Sequence, residues 1–535
     1  MMQWARSPQA RDQMVLFAER LDDAIPPNHS VRLLDVILER LAWTKWEACY
    51  HGRLGQPPIH PRVLAAALLY GLLRRIRSSR GLEEALIVRL DFRWLVEGRT
   101  IDHTTLSEFR RRHAEELKDL FVQVGLVARE LGFLTLEQLA FDGTRVRANN
   151  RRSGTRSPEE LRQMKAELAA QFAALEAQAA AEDASDEETF GPTSPHALPA
   201  ELADVQRRQE QVSAALAELE RAEQAGEALP KRLPLTDPES RVMPNKDGGF
   251  APNYTPLATV DVASGLIVSA DVIAQVHEDP QLLPALDDVR QQFGQSEPAP
   301  EVLADGMMCT GANLAALEER GITLYSPLPG NVDPATNPAI RDDPSQPVPP
   351  EQWDRLPTKK VTIEGQQGTQ LDKAAFVFDA ERECYWCPAG KQLPYAKTTS
   401  EAEGGRRRIR DRYQADAADC SGCPLRDRCL QARAKQRMIS HEQHEAARVR
   451  HARRMATPEA KAKYARRRHP GERPFAVIKH HFGARRFLLR GLAQVRTEWR
   501  WLATAFNLHR LMGLLESRAG PGSQPIAIPP LTRCR

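Results

Sequence analysis

The sequence predicts an α/β core preceded by an all-α N-terminal domain and interrupted by a helical hairpin and a cysteine-rich segment. Three observations carry this prediction. Before residue 132, apolar residues recur at three- and four-residue spacing, the signature of helices with one buried face. Between 257 and 330, short apolar runs alternate with helical spacing, as strands and helices around one sheet would. Composition then changes abruptly at 157–229, rich in Ala, Glu, Gln and Leu, and again at 331–450, rich first in Pro and then in Cys.

A chain of 535 residues, 41% hydrophobic and 27% charged, is ordinary for a soluble protein and too long for a single core. Roughly two to four structural units are expected. No run of about 18 apolar residues is present. The N-terminus Met1-Met2-Gln3-Trp4-Ala5-Arg6 lacks the apolar stretch of a secretory signal. The expectation is a cytoplasmic, nucleoid-associated protein with no membrane contact. The net charge of +3 conceals a strong local imbalance: from Arg453 to Arg510 there are 15 Lys or Arg against three acids, Glu459, Glu472 and Glu498. Such a block is either a solvated helix face or the electrostatic footprint of a polyanion. The aromatics Tyr464, Phe475, Phe482 and Phe487 inside it favour the second reading.

The elements follow in order. Residues 1–132 form the helical domain, with Pro61 at the first turn of a helix running to Arg75 and a second helix from Gly81 to Leu90. The stretch Asp102-His103-Thr104-Thr105-Leu106-Ser107-Glu108-Phe109-Arg110-Arg111-Arg112-His113 resembles a helix start followed by arginines able to lie against phosphates. A DNA-binding domain is preferred here over a purely structural bundle. The first core strand falls in 133–156 and ends at Asp142. Two helices joined by a breaker at Gly191-Pro192-Thr193-Ser194-Pro195 fill 157–229 and carry no chemistry. The central core, 230–330, holds a hairpin (Leu257 to Asp261 and Leu266 to Ile273), a helix from Pro280 to Phe293, a strand ending at Asp305, a helix from Ala312 to Arg320, and a strand from Ile322 to Leu328. After the Pro/Cys-rich insertion, 331–450, the core closes with helices in 451–516, the last from about Glu498 to Leu515. The Gly/Pro/Ser-rich tail, 517–535, reads as disordered.

Asp142 and Asp305 each end a short apolar run at Asp-Gly, and Glu472 opens a helical pattern in Gly-Glu-Arg-Pro-Phe-Ala-Val-Ile-Lys. A lone Asp-Gly most often marks a plain turn. Three carboxylates that converge, however, can hold two divalent cations for phosphodiester chemistry. Tyr464, Arg467, Glu472 and Lys479, followed by Arg485-Arg486-Phe487-Leu488-Leu489-Arg490-Gly491-Leu492, resemble the Tyr-Arg-Glu-Lys signature of bacterial insertion-sequence DDE transposases. Asp142-Gly143-Thr144 and Ala304-Asp305-Gly306 are similar to the contexts of that family's two aspartates, and Thr104 to Arg110 resembles its N-terminal helical domain. The resemblance runs in the same order along nearly the whole chain.

That resemblance implies an RNase H-like core, with Asp142 ending the first strand, Asp305 ending the fourth, and Glu472 on a helix against the sheet. It implies coordination of Mg²⁺ (or Mn²⁺) by Asp142, Asp305 and Glu472. It further implies that Tyr464, Arg467 and Lys479 hold phosphates of double-stranded DNA, the transposon ends and the target. Arg485, Arg486, Arg110 and Arg111 join them as candidate DNA contacts. Seven residues separate Glu472 from Lys479, so in a regular helix the two share a face. The signature arginine is either Arg467 or Arg468. Asp305 is followed by Gly306-Met307-Met308, where relatives more often show Ala-Gly-Tyr. A homodimer or higher synaptic complex is expected, because two ends must be brought together.

Eight cysteines include the cluster Cys384, Cys387, Cys420, Cys423 and Cys429. Two C-x2-C pairs separated by 32 residues fit a structural Zn²⁺ site in a cytoplasmic protein. Cys384, Cys387, Cys420 and Cys423 are the first choice of ligands. Five thiols compete for four positions, and Cys423 or Cys429 is the spare; reduced structural thiols are the alternative. No Gly-rich phosphate loop, Ser-His-Asp arrangement or HExxH is evident. The function expected is a transposase that cuts and joins DNA. Its rivals are a zinc-containing DNA-binding protein or repressor without catalysis, and a metal-dependent nuclease that cannot join strands.

Overall fold

The computed structural model describes residues 20–50, 57–150, 154–190, 200–227, 229–245, 248–295, 299–328, 336–363, 366–379, 381–403, 406–431 and 433–519. The breaker at 191–195 and most of the tail lie outside them. The chain divides into two compact units. One comprises Met1–Leu134, Ala476–Ala484 and Thr497–Arg535; the other comprises Thr135–Phe475 and Arg485–Arg496.

In the first unit, helices Ser30–Glu39, Thr44–Ala48, Pro61–Leu73, Ser79–Val88, Leu90–Leu95, His103–Arg112 and Ala114–Glu130 follow one another with no strand among the described residues. Pro61 sits in the first turn, where its missing N–H costs nothing. Asp102 caps His103–Arg112 by accepting from the Thr104 and Thr105 N–H groups at 2.8 and 2.9 Å. The Thr104 and Thr105 hydroxyls, together with these N–H groups, hold the Asp102 carboxyl well below the usual range. The unit's core gathers Trp46 against Phe109, with ring centroids 5.3 Å apart, and Trp46 against Trp501 at 6.2 Å. The buried Arg77–Glu498 ion pair, 2.7 Å long, lies in the same unit.

The second unit is built on a mixed seven-stranded sheet. Its first strand, Gln138–Gly143, pairs antiparallel with Phe250–Asp261, placing Asp142 opposite Ala258, and parallel with Glu301–Leu303. Phe250–Asp261 forms the hairpin with Ile267–Ile273, and Glu301–Leu303 pairs parallel with Thr323–Tyr325. In chain order among these five strands, the spatial sequence is third, second, first, fourth, fifth. Arg241–Pro244 and Val146–Arg147 add to the long second strand. Helices Leu282–Phe293 and Gly311–Glu319 connect the later strands. Between the first and second strands, helices Pro158–Phe190 and Ala200–Gln224 bury Leu161, Leu168, Val205, Val212 and Leu219 together.

Three local expectations are corrected. The strand before Asp305 stops at Leu303; Asp305 instead caps the 3-10 turn Gly306–Met308, accepting from the Met307 N–H at 2.9 Å. Glu472 does not open its helix, which spans Arg468–Ala476. The regular pitch assumed between Glu472 and Lys479 also fails, because the α-helix gives way to a π-helical turn at Val477–His481. Pro474 lacks an N–H for the preceding turn, and the Phe482 N–H reaches back five residues to the Val477 carbonyl at 3.0 Å.

The cysteine-bearing segment, expected only as an insertion, contains a five-stranded antiparallel sheet of Val377–Asp379, Cys384–Trp386, Gln392–Glu403, Arg406–Gln414 and Met438–Glu442. Its core includes Phe376, Tyr385, Leu393, Tyr413 and Ile439.

Candidate active site

Asp142 stands next to last in its strand, so the parallel neighbour brings the chain leading to Asp305 alongside it. Its Oδ1 accepts from the Gly143 N–H at 2.9 Å, and its Oδ2 lies 3.1 Å from a guanidinium nitrogen of Arg467. Both side chains are mostly buried, at 13% and 14% exposure, so this ion pair is little screened. Burial works against the charge on Arg467, but Asp142, Tyr464 and Asp305 outweigh it and push its pKa above the ordinary arginine value. The two aspartates therefore act on one cation. Arg467 is the arginine that faces Asp142; the side chain of Arg468 lies outside the described set.

A third carboxylate belongs to this cluster and was missed in the sequence. Glu278 follows the hairpin in His277-Glu278-Asp279 and is almost fully buried. Burial raises its pKa; Arg145 draws it back, while Asp142 and Asp305 push it further up. Arg145 donates to Glu278 Oε1 at 2.8 Å and to Thr255 Oγ1 at 2.7 Å, fixing the carboxylate in place. The signal was a pair of adjacent acids in a short connection without periodicity, which no pattern distinguishes from a surface loop.

The two Asp-Gly pairs acquire a physical reason. A Cβ on Gly143 would stand 2.2 Å from Glu278 Oε2, and one on Gly306 would stand 2.8 Å from the Pro327 carbonyl oxygen. Neither glycine has positive φ. Each is required by close approach, not by a left-handed turn.

Asp305 is held from behind. The Ser326 hydroxyl donates to its carbonyl at 2.5 Å, and the buried His451 ring donates through Nε2 to the Ser326 carbonyl at 2.7 Å. Burial lowers the His451 pKa, so the ring is held neutral there.

The remaining predicted residues are placed as follows. Tyr464 is half-buried against Ala140, Leu303 and Tyr325 and accepts a hydrogen bond from Arg467. Glu472 is exposed, one residue beyond Gly471, where a Cβ would lie 3.7 Å from Asp142 Oδ2. Its helix thus lies against Asp142 while its carboxylate is in solvent. Lys479 is half-buried in the π-helical turn assigned to the helical unit. Arg485 and Arg486 are exposed on a segment that runs beside Val146–Arg147, the Arg147 N–H donating to the Arg485 carbonyl at 3.3 Å and the Phe487 N–H to the Arg147 carbonyl at 2.9 Å. Arg110 turns inward, donating to the Arg77 carbonyl at 3.0 Å and the Ser79 hydroxyl at 2.7 Å, whereas Arg111 is exposed. Cys387, Cys420, Cys423 and Cys429 pack against the core of the five-stranded sheet, and Cys384 is buried in its second strand.

The donor set fits a divalent cation. Asp142 is paired with Arg467 and the neighbouring Glu278 with Arg145; burial raises the Glu278 pKa, and the charges of Asp142 and Asp305 add to the rise. Oxygen donors of this kind suit Mg²⁺ or Mn²⁺.

Among the described residues, no helix is long and apolar enough to cross a membrane. No curated protein matches the chain. A family model for a transposase DDE domain matches residues 386–512, which include Tyr464, Arg467, Glu472, Lys479, Arg485 and Arg486. A second, for a transposase domain (DUF772), matches residues 19–112 and includes Arg110 and Arg111. Asp142 and Asp305 lie between the two matched stretches, and both matches support an insertion-sequence DDE transposase.

Proposed function

We propose that this chain binds the terminal inverted repeats of an insertion sequence and catalyses metal-dependent DNA cleavage and strand transfer. The observation that carries the proposal is the convergence of Asp142 and Asp305 on Arg467, with Glu278 behind them. The strand order third, second, first, fourth, fifth, with the first strand between an antiparallel and a parallel neighbour, supports an RNase H-like core.

Asp142, Asp305 and Glu472 would hold the cations, with Glu278 adjoining. When bound, Mg²⁺ or Mn²⁺ supplies an activated water and takes up charge on the leaving oxygen. The chain's own residues do the rest. The strand Gln138–Gly143 fixes Asp142 and the 3-10 turn fixes Asp305, while Glu472 remains exposed and able to meet an incoming cation. Arg467 holds Asp142 Oδ2 in place, and its guanidinium would be positioned to meet a phosphate beside the carboxylates. Tyr464 and Lys479 complete the phosphate contacts, and the exposed Arg111, Arg485 and Arg486 add sequence-independent affinity for double-stranded DNA. Arg110 serves that surface indirectly, by fixing the segment Arg77–Ser79. A homodimer or higher synaptic complex would hold two ends.

The test is product analysis on DNA carrying the element's own ends. Wild type is expected to yield joined donor-target product, and Asp305→Asn to bind the same DNA without cutting it. Cut but never joined product would make the chain a nuclease. Binding without cutting in wild type would make it a DNA-binding remnant or repressor.

A further inference from the structure

Cys387 lies in the tight turn Cys387-Pro388-Ala389-Gly390-Lys391 that follows the second strand of the five-stranded sheet. The Lys391 N–H donates to the Cys387 sulfur at 3.3 Å, and the Gly390 N–H donates to the Cys387 carbonyl at 2.9 Å. Gly390 has φ +74°, and a Cβ there would come within 2.4 Å of the Ser345 carbonyl oxygen. A backbone N–H aimed at a sulfur in a closed turn is how a protein orients and stabilises a metal-bound thiolate.

The other three thiols come from a second, separate turn. Cys420 lies in the helix Ala417–Ser421; the Cys423 N–H reaches back to the Cys420 carbonyl at 3.5 Å, and the helix Arg426–Cys429 ends at Cys429. These helices have five and four residues, too few to stand on propensity. Between Asp416 and Gln436 the buried side chain among the described residues is Leu425, so the segment has little core of its own. Short elements with so little apolar burial need a cross-link.

Several contacts join the two turns. Lys391 pairs with Asp419, the residue before Cys420, at 3.3 Å. Gln370 and Arg437 donate to the Cys429 carbonyl at 2.7 and 2.8 Å. Cys387, Cys420, Cys423 and Cys429 all pack, partly exposed, against the same core, whereas Cys384 is fully buried within the second strand of the sheet. Arg341 donates to the Cys387 carbonyl at 3.0 Å, and Arg437 to that of Cys429, so two guanidinium groups stand where they can offset the surplus negative charge of a four-thiolate site.

We propose that Cys387, Cys420, Cys423 and Cys429 hold one structural zinc ion, and that Cys384 is a buried thiol of the sheet. This replaces Cys384 by Cys429 in the ligand set expected from spacing alone. Four thiolates favour tetrahedral zinc over the oxygen-preferring cations of the carboxylate site. As the side chains stand, the group among the described residues whose ligand atoms are within reach of a single ion is a different one: those of Cys49, His113 and Glu116 all lie within 4.8 Å of one another. That group is already closed by hydrogen bonds, the Cys49 thiol donating to Glu116 at 3.0 Å and Tyr50 meeting His113 Nε2 at 3.0 Å. The clustered cysteines are more open, so zinc would draw the two turns together.

The experiment uses the full chain: elemental zinc content, and absorption after replacement by Co²⁺, for wild type, Cys384→Ser, Cys49→Ser, Cys429→Ser and Cys387→Ser. The expected result is one zinc per chain, retained in Cys384→Ser and Cys49→Ser, lost in Cys429→Ser and Cys387→Ser. The Co²⁺ form of wild type should show the intense thiolate charge-transfer and visible bands of a tetrahedral four-sulfur site. If the ligand variants fail to fold, the wild-type Co²⁺ spectrum and the two retained variants decide the matter. Wild type without zinc or thiolate bands overturns the proposal, and so does loss of metal in Cys384→Ser with retention in Cys429→Ser. None of these readouts involves DNA cleavage, so the outcome is independent of the transposase reading.

Discussion

Gly143 shows what the sequence could and could not tell at the level of single residues. Asp-Gly was legible as the end of a strand, but the reason for the glycine was not, because Glu278 approaches from more than 130 residues away in the chain. Gly143→Ala is therefore expected to destabilise the chain by roughly 1–3 kcal/mol, the cost of overpacking a filled site. It should also lower cleavage, and denaturant midpoints compared with wild type will check the first effect. His451 gives a prediction in pH. Its folded pKa is depressed by burial, so the unfolded chain takes up the proton first as pH falls. Its contribution to stability is full above about pH 6.5 and diminishes below it. His451→Gln should flatten the pH dependence of stability in that range, measured as unfolding midpoints from pH 7.5 to about pH 5. The motifs of Asp142 and Arg467 were legible, though not that the two side chains pair. The approach of Glu278 to Gly143 and the proposed exchange of Cys384 for Cys429 were not legible, since both depend on which turns the sheet brings side by side.

Elements with strong periodicity were the legible ones. The hairpin Phe250–Asp261 and Ile267–Ile273 and the helices Leu282–Phe293 and Gly311–Glu319 fall where apolar spacing put them. The strands Gln392–Glu403 and Arg406–Gln414 did not announce themselves, because Lys-Thr-Thr-Ser-Glu and Arg-Arg-Arg-Ile-Arg-Asp-Arg read as polar or charged runs. Their pairing with each other extends them well beyond the few buried positions, Leu393 and Tyr413, that anchor them to the core. The π-helical turn Val477–His481 was equally invisible, since no residue type marks the point where the Phe482 N–H bonds five residues back. The segment carrying Arg485 and Arg486 lies along Val146–Arg147 with both side chains exposed. The double substitution Arg485→Ala, Arg486→Ala should weaken DNA binding about equally for specific and unrelated duplexes. It should also lower the salt slope by roughly two, one for each phosphate that is no longer neutralised. A loss confined to the specific sequence would instead assign these arginines to base readout.

For the whole molecule, the order of segments could be read but the division into units could not. The helical unit takes in 476–484 and 497–535 from the far end of the chain, and its core includes Trp501 beside Trp46. Pattern reading assigns contiguous stretches and has no means of detecting such returns. The same holds for charge: a net +3 says little, while the basic surplus from Arg453 to Arg510 is divided between the two units. The central claim concerns metal contact by the carboxylates, and thiophilic rescue tests it most directly. Cleavage of end-bearing DNA by wild type and Asp142→Cys should be measured with Mg²⁺ and with Mn²⁺. Direct coordination requires wild type to cut with both ions, and Asp142→Cys to be inactive with Mg²⁺ and to recover activity with Mn²⁺, which accepts a sulfur ligand more readily. Undiminished cleavage by Asp142→Cys in Mg²⁺ would contradict a metal-binding role for Asp142, and with it the proposed active site.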